Sequence, residues 1–172
     1  MEPVLLVVGV AALAALSLAA THRGLARARA RVDASWRALD EQLRRRHELA
    51  DALLAAGGPS AQVEALVDAR RRVDQALTPF ARAGAERRLA AALQALLDDL
   101  DDADGQRLHE QAAALDREIQ AARRIYNADV RLYLTRRRRL PGRLLRARFE
   151  ERPYFELDHT RQAAAPKPVR SA

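Results

Sequence analysis

An uncharged apolar run, VLLVVGVAALAALSLAA, extends from Val4 to Ala20. As a helix rising about 1.5 Å per residue, the run would extend roughly 25 Å, within the range of membrane-spanning helices. Because a bilayer offers no water to backbone N–H and C=O groups, such a run crosses it only as a helix. The sequence therefore predicts a membrane anchor over residues 1–22.

A cleavable signal peptide is the alternative, since Ser17, Leu18 and Ala19 resemble a cleavage site. Signal peptides carry positive charge before the apolar core, whereas here Met1, Glu2 and Pro3 precede it and none has a basic side chain. The positive charges follow the run, at Arg23, Arg27, Arg29 and Arg31. Because positive charge is retained in the cytoplasm, we expect an uncleaved single-pass anchor with its N-terminus outside.

The rest of the chain reads as helices. Its apolar share is mainly Ala and Leu, and apolar positions recur at alternating steps of three and four, the pattern of amphipathic helices. We predict four helices: Leu25 to Leu53, Ser60 to a break near Pro79 to Gly84, about Ala85 to the acidic turn DDLDDADG, and Leu108 to Pro141-Gly142. The apolar face predicted for the second helix includes Leu77 and Phe80.

These lengths predict an all-α fold, in which an N-terminal transmembrane helix precedes an antiparallel up-down-up-down four-helix bundle with two long and two shorter helices. The bundle would cover residues 23–148. The C-terminal tail, 149–172, would be partly packed and then disordered over its last dozen residues, because the segment after Arg148 is mixed in composition and contains proline.

Polar and aromatic insertions in the two long helices predict a contact between them. Counted back from the turns near Gly57 and Gly105, Trp36 and Tyr126 fall at one height, roughly 30 Å from the tip of the bundle. By the same count, Asp40 falls beside Arg123, and Asp33 falls near Asn127. We therefore expect these side chains to pair across the two helices.

The shorter helices cannot cover the whole apolar stripe of the long ones. Five apolar residues continue beyond their reach: Leu25, Val32, Val130, Leu132 and Tyr133. Because a stripe open to water would be a liability, we expect a second copy, a partner helix or the segment from Arg148 to Asp158 to close it. That segment carries Phe149, Tyr154 and Phe155.

The sequence indicates no catalytic constellation, cofactor site or metal site. There is no cysteine, and His22, His47, His109 and His159 lie in different segments without zinc-binding spacing. We interpret His47 as a solvated residue within a run of charges. The acidic cluster after Leu97 lacks the spacing of a calcium loop and reads as a solvated helix end. We expect a protein that is not an enzyme.

Arginine is concentrated near the end of the fourth helix. From Arg123 to Arg152 there are 11 arginines against three acidic residues, a difference of +8, compared with +7 for the whole chain. A solvated basic face and contact with anionic lipid headgroups both remain open, whereas nucleic acid is disfavoured because no groove-reading module is present. The candidates for lipid contact are Arg23, Arg27, Arg136, Arg137, Arg138, Arg139 and Arg143.

Two motifs stand in the long helices: RVDASWRALDEQLRRRHEL, from Arg31, and ARRIYNADVRLYLTRRRRLPG, ending at Gly142. They resemble motifs of the LemA family of bacterial membrane proteins, and PYFELD resembles the family's aromatic segment after the bundle. The middle, Pro59 to Gln106, departs from the family pattern. The resemblance implies a short external N-terminus, one membrane helix and a cytoplasmic helical bundle, and it implies no established reaction.

We therefore expect a non-enzymatic, single-pass scaffold or interaction protein of the bacterial inner membrane. Its partners would be proteins, with envelope proteases or copies of the chain itself as examples. The alternative is an accessory lipid-organising protein that uses the membrane-proximal arginines as a collar.

Overall fold

The computed structural model describes residues 2–57, 60–100 and 103–156 of the chain. Within these ranges the backbone forms α1 (Glu2–Ala56), α2 (Ala61–Asp74), α3 (Pro79–Leu97), α4 (Ala103–Arg138) and a short 3-10 helix, η1 (Gly142–Leu145). No strand occurs in the described ranges, so the predicted all-α class is confirmed. The predicted disorder at the end of the tail lies outside the described residues.

The apolar N-terminal run and the first predicted bundle helix form one continuous helix, α1, with no helix end at the predicted boundary after residue 22. Eight large apolar side chains along its first part, from Val4 to Leu16, are between 59% and 70% exposed. This part is long and apolar enough to cross a membrane, by length and composition. The part that follows is packed, because Leu25, Val32 and Leu39 are at most 1% exposed.

The break between α2 and α3 lies at residues 75–78, so the predicted break near Pro79 to Gly84 is wrong. Thr78 caps α3 by accepting a 3.1 Å hydrogen bond from the backbone N–H of Ala81. Proline suits a first helical turn, where its missing N–H would have no partner, and Pro79 therefore starts α3. Leu77 and Phe80, predicted on the apolar face, are 95% and 54% exposed.

The chain divides into two compact units. The first unit comprises residues 1–45 and 114–154, and the second comprises residues 46–113 with the described residues from Phe155 onward. Both predicted long helices contribute a part to each unit, so the division crosses the bundle predicted over residues 23–148.

In the second unit, the last turns of α1, all of α2 and α3, and the first turns of α4 share a core. Its centre consists of the fully buried Ala50, Leu66, Leu89 and Leu97. Burial of each leucine contributes about 1.5–3 kcal/mol relative to exposure. Most of these positions follow the predicted three-and-four spacing, because that spacing places side chains on one helical face.

In the first unit, most of the apolar stripes of α1 and α4 is buried. Leu132, predicted on the stripe, is 38% exposed, because a position two residues after Val130 lies off the helical face that Val130 shares with Tyr133. The stripe of α4 includes Ile119, Val130 and Tyr133, each 0% exposed. After α4, the chain turns closely at Gly142, where a β-carbon would collide with the carbonyl oxygen of Arg136. This turn directs residues 149–154, here called the C-terminal strap, back along the first unit.

Candidate interaction site

Trp36 of α1 and Tyr126 of α4 are in contact, as the sequence predicts. Their ring centroids lie 5.3 Å apart with an interplanar angle of 58°, a tilted geometry of the kind that aromatic pairs favour. Further contacts join Arg45 to Glu118 at 4.0 Å and Arg136 to the Gly24 carbonyl at 3.5 Å. Since higher numbers in α1 meet lower numbers in α4, these two helix segments run in opposite directions.

Two tyrosines of α4 hold the backbone of the strap. The Tyr126 hydroxyl donates a 2.8 Å hydrogen bond to the Pro153 carbonyl, and the Tyr133 hydroxyl donates a 2.6 Å bond to the Glu150 carbonyl. Burial raises the pKa of both phenols. Both hydroxyls therefore remain protonated donors through the physiological pH range.

Arg137 makes the third attachment of the strap. Its side chain is buried, at 8% exposure, and its Nε donates a 2.6 Å hydrogen bond to the Phe149 carbonyl. Its Nη1 also pairs with the Glu151 carboxylate. Arg137 is therefore not presented to solvent, and the prediction that it contacts lipid headgroups is wrong, because its guanidinium is used within the fold.

The strap also contacts α1. Arg152 donates a 2.8 Å hydrogen bond to the Asp33 carboxylate, and the rings of His22 and Phe149 meet edge to face at 5.3 Å. Of the three predicted ways to close the stripe, the structure thus shows the fold-back over residues 149–154. The end of the predicted segment, after Glu156, lies outside the described residues. Tyr154, which we expected to be covered, is 39% exposed, whereas the following Phe155 is buried.

The pairing predicted for Asp40, Arg123 and Asn127 stays a prediction. Asp40 is half-buried and lies 3.4 Å from Arg44 on the same helix. The Nε of Arg123 is buried and has no hydrogen-bond partner among the described residues. Asn127 is half-buried, while the carboxylate of Asp33, predicted near it, bonds to Arg152.

The other arginines proposed for lipid contact lie at the surface. Each of them is exposed in the structure: Arg23, Arg27, Arg136, Arg138, Arg139 and Arg143. The contact of Arg136 with the Gly24 carbonyl shows that the arginine-rich end of α4 lies beside the part of α1 that carries Arg23 and Arg27. The predicted clustering of the two arginine groups is therefore present within the first unit.

The second unit contains a buried charge cluster that the sequence reading missed. The Glu86 side chain is 0% exposed and accepts a 2.9 Å hydrogen bond from Arg46, which is itself 4% exposed. His47, 12% exposed, places its Nε2 2.7 Å from the other Glu86 oxygen. The prediction of a solvated His47 is therefore wrong. The available signal was spacing, because His47 lies four residues after Leu43 and Glu86 three before Leu89.

The strap attachments and the Glu86 cluster both join elements of the fold. Phenols and guanidinium groups donate to backbone carbonyls or carboxylates, which holds elements in place. Among the described residues, no group of three or more His, Asp or Glu side chains is placed to hold a metal ion. The chain is thus a helical protein with a candidate membrane helix and a C-terminal strap that is hydrogen-bonded to α4.

A family model described as the LemA family matches residues 35–169. The match covers most of the chain, and the chain belongs to the LemA family. The matched region includes Trp36, Tyr126 and the strap, so the contacts described above lie within the family region. No curated protein matches the chain in the comparison made.

Proposed function

We propose that this protein is a non-enzymatic, single-pass scaffold of the bacterial inner membrane, with its N-terminus outside and its helical units in the cytoplasm. In this proposal the four helices form an antiparallel up-down-up-down bundle. The partners are proteins, with envelope proteases or further copies of the chain as the first to examine.

The observation that carries the proposal is the contrast along α1. Its first part leaves its large apolar side chains exposed, with none of the most apolar stretch buried. Leaving apolar surface in water costs about 25 cal/mol per Å², and a bilayer removes that cost. Within the first unit, the same helix continues without a break into the part that packs against α4, so a membrane-inserted segment would be joined directly to the packed helices.

The scaffold role is supported by the way polar groups are used. Tyr126, Tyr133 and Arg137 fasten the strap, and Glu86 bonds with Arg46 and His47. Hydrogen bonds between buried polar groups rigidify a fold. Rigid surfaces favour binding because less conformational entropy is lost on association.

Two measurements on native membranes test the proposal. Mass spectrometry of the extracted protein should find the intact N-terminus, and a mature chain beginning near Ala20 would contradict the anchor. A photo-crosslinking residue at exposed positions, with Arg117 as one example, should capture discrete protein adducts. Adducts with lipid alone would contradict the scaffold and favour the alternative.

The alternative is a lipid-organising protein with the exposed arginines as a collar. It is supported by the clustering of Arg136 beside Gly24, because each basic residue near an anionic membrane contributes about 1 kcal/mol. Flotation of the protein lacking residues 1–22 with anionic vesicles tests it. Binding that weakens as salt rises would support the collar, and no binding at low salt would exclude it.

A further inference from the structure

A groove of about 300 Å³ lies in the second unit beside the connection between α2 and α3. Its lining mixes guanidinium groups with small and aromatic apolar side chains: Arg72, Gln75, Ala76, Phe80, Ala81, Gly84, Ala85, Arg87 and Arg88. The helix start at Pro79, with its Thr78 cap, fixes the turn at which the two sides of the groove meet.

The groove is positive. Three arginines line it and no acidic residue does. One of them, Arg72, is paired at 2.6 Å with Asp68, which lies outside the lining. Arg88 is exposed at the rim, and its neighbours three and four residues away, Gly84, Ala85, Ala91 and Ala92, carry no charge. The ligand that complements this rim is an anion.

The floor of the groove is apolar. Phe80 is 54% exposed, and the alanines Ala76, Ala81 and Ala85 lie around it. Leu77, next in sequence to Ala76, is 95% exposed. Alanine leaves room above a surface that a larger residue would fill, so the lining can accept an apolar side chain next to the Phe80 ring.

We propose that this groove binds an acidic peptide segment of a protein partner, with one large apolar side chain on Phe80 and flanking carboxylates on Arg88. Arginine and aromatic residues are the groups that most often carry binding energy in interfaces. The volume suits one or two side chains, whereas single-stranded nucleic acid requires a longer basic track with several stacking rings.

The proposal rests on the scaffold function and specifies the chemistry of its partner. One acidic segment of this chain itself, the turn around Asp98 and Asp99 after α3, has a matching charge. A second copy of the chain would present that turn to the groove. The experiment distinguishes this occupant from a different protein.

The test measures fluorescence anisotropy of a labelled peptide, Glu-Glu-Leu-Phe-Glu-Glu, with the full chain in nonionic detergent micelles. We expect saturable binding that weakens as salt rises, since exposed charge pairs are screened. Replacing the peptide's glutamates by lysines, or its Leu-Phe by Ala-Ala, should weaken binding about tenfold or more.

Two variants locate the site. Arg88→Glu and Phe80→Ser should each weaken binding about tenfold, and both side chains are exposed enough for the fold to survive. Arg117→Glu, an equal charge change at an exposed position of α4, should stay within about twofold. The proposal would be overturned if Arg88→Glu and Arg117→Glu bound the peptide with equal affinity, or if the unaltered protein did not bind it.

Further arms separate the sources of acidic ligand. A peptide with the sequence from Leu97 to Gln106 is also tested. If it binds more tightly than the probe, and if the protein self-associates but Arg88→Glu does not, the occupant of the groove is a second copy of the chain and the proposal of a foreign partner is overturned. Tighter binding to phosphatidylglycerol vesicles or to single-stranded DNA than to the peptide would also overturn the proposal. Loss of peptide binding with intact photo-crosslinks would leave the scaffold function standing.

Discussion

The hydroxyl of Tyr126 reaches the carbonyl of Pro153, 27 residues further along the chain, at 2.8 Å. The ring of the same tyrosine contacts Trp36. One side chain thus joins α1, α4 and the C-terminal strap. This explains why an aromatic residue with a polar end stands in an apolar stripe: the ring is buried while the hydroxyl is used.

Tyr126→Phe and Tyr133→Phe should each release the strap. Each substitution removes one hydroxyl-to-carbonyl hydrogen bond and keeps the ring, so we expect a loss of about 0.5–1.5 kcal/mol in the free energy of unfolding. Amide exchange of residues 149–154, measured by mass spectrometry, should quicken. Tyr154→Phe is the control, because Tyr154 is 39% exposed. This substitution should leave the amide exchange of residues 149–154 unchanged.

Although Arg137 and Arg138 are neighbours, substituting them should have different effects on the stability of the protein. Arg137→Gln removes buried bonds to the strap and should destabilise the protein by about 1.5–3 kcal/mol in urea unfolding. Arg138→Gln changes an exposed arginine and should stay within about 0.5 kcal/mol.

Vesicle flotation then separates the structural from the lipid-binding arginine. If the collar binds anionic lipid, Arg138→Gln should weaken binding to the vesicles by about 1 kcal/mol, the contribution expected of one basic residue. Arg137→Gln, where it remains folded, should float like the unaltered protein. Equal effects of the two substitutions on stability would contradict the buried attachment.

Glu86→Ala should be strongly destabilising, by about 3–5 kcal/mol, because it leaves the buried Arg46 without its carboxylate. Arg46→Met combined with Glu86→Leu should recover much of that loss, since replacing a buried ion pair by apolar groups is often neutral. Glu110→Ala, an exposed position, serves as the control. Additive losses in the double variant would argue against a coupled pair.

The ion pair between His109 and Asp98, at 3.0 Å, should make stability depend on pH. The hydrogen bond with Asp98 raises the pKa of His109, and the bond with His109 lowers the pKa of Asp98. The histidine contribution is therefore complete below its ordinary pKa of 6.5 and is lost as the pH rises through the raised value. The aspartate contribution is present above its ordinary pKa of 3.8 and is lost as the pH falls through the lowered value.

Melting temperatures of the protein and of His109→Gln provide the measurement. The difference between the two should be present near pH 5.5 and should shrink toward pH 9. A difference that is constant over this range would mean that the charged pair does not contribute in solution.

Asp40 and Arg123 remain a predicted pair across α1 and α4. A double-mutant cycle with Asp40→Ala and Arg123→Ala should give a coupling of about 0.5 kcal/mol or more, as for residues in one network. Asp40→Ala with Arg117→Ala is the matched control and should be additive. Additivity in the first cycle would show that the pairing is absent.

Much of the helical structure could be predicted from the sequence. Leu25, Val32, Leu39 and Leu43 stand seven, seven and four residues apart, spacings that return to one face of a helix, and all four are buried. The uncharged run from Val4 likewise determines a helix that could cross a membrane. The contact of Trp36 with Tyr126 followed from counting residues, since the rise per residue of a helix is constant.

The break before α3 was decided by local chemistry that the apolar pattern did not reveal. Thr78 and Pro79 form a helix start, and this local signal prevailed over the apolar spacing that had placed Leu77 and Phe80 in the core. Their exposure made the groove available.

Only the tertiary structure decided the roles of the buried charges and of the strap. Arg137 and the exposed Arg138 are the same residue type in one arginine run, and only packing against Phe149 and Glu151 distinguishes them. The strap is held through the backbone carbonyls of Glu150 and Pro153. Every residue carries a carbonyl, so sequence cannot mark which ones accept a bond; the partners are chosen when the chain turns at Gly142 and residues distant in sequence become neighbours.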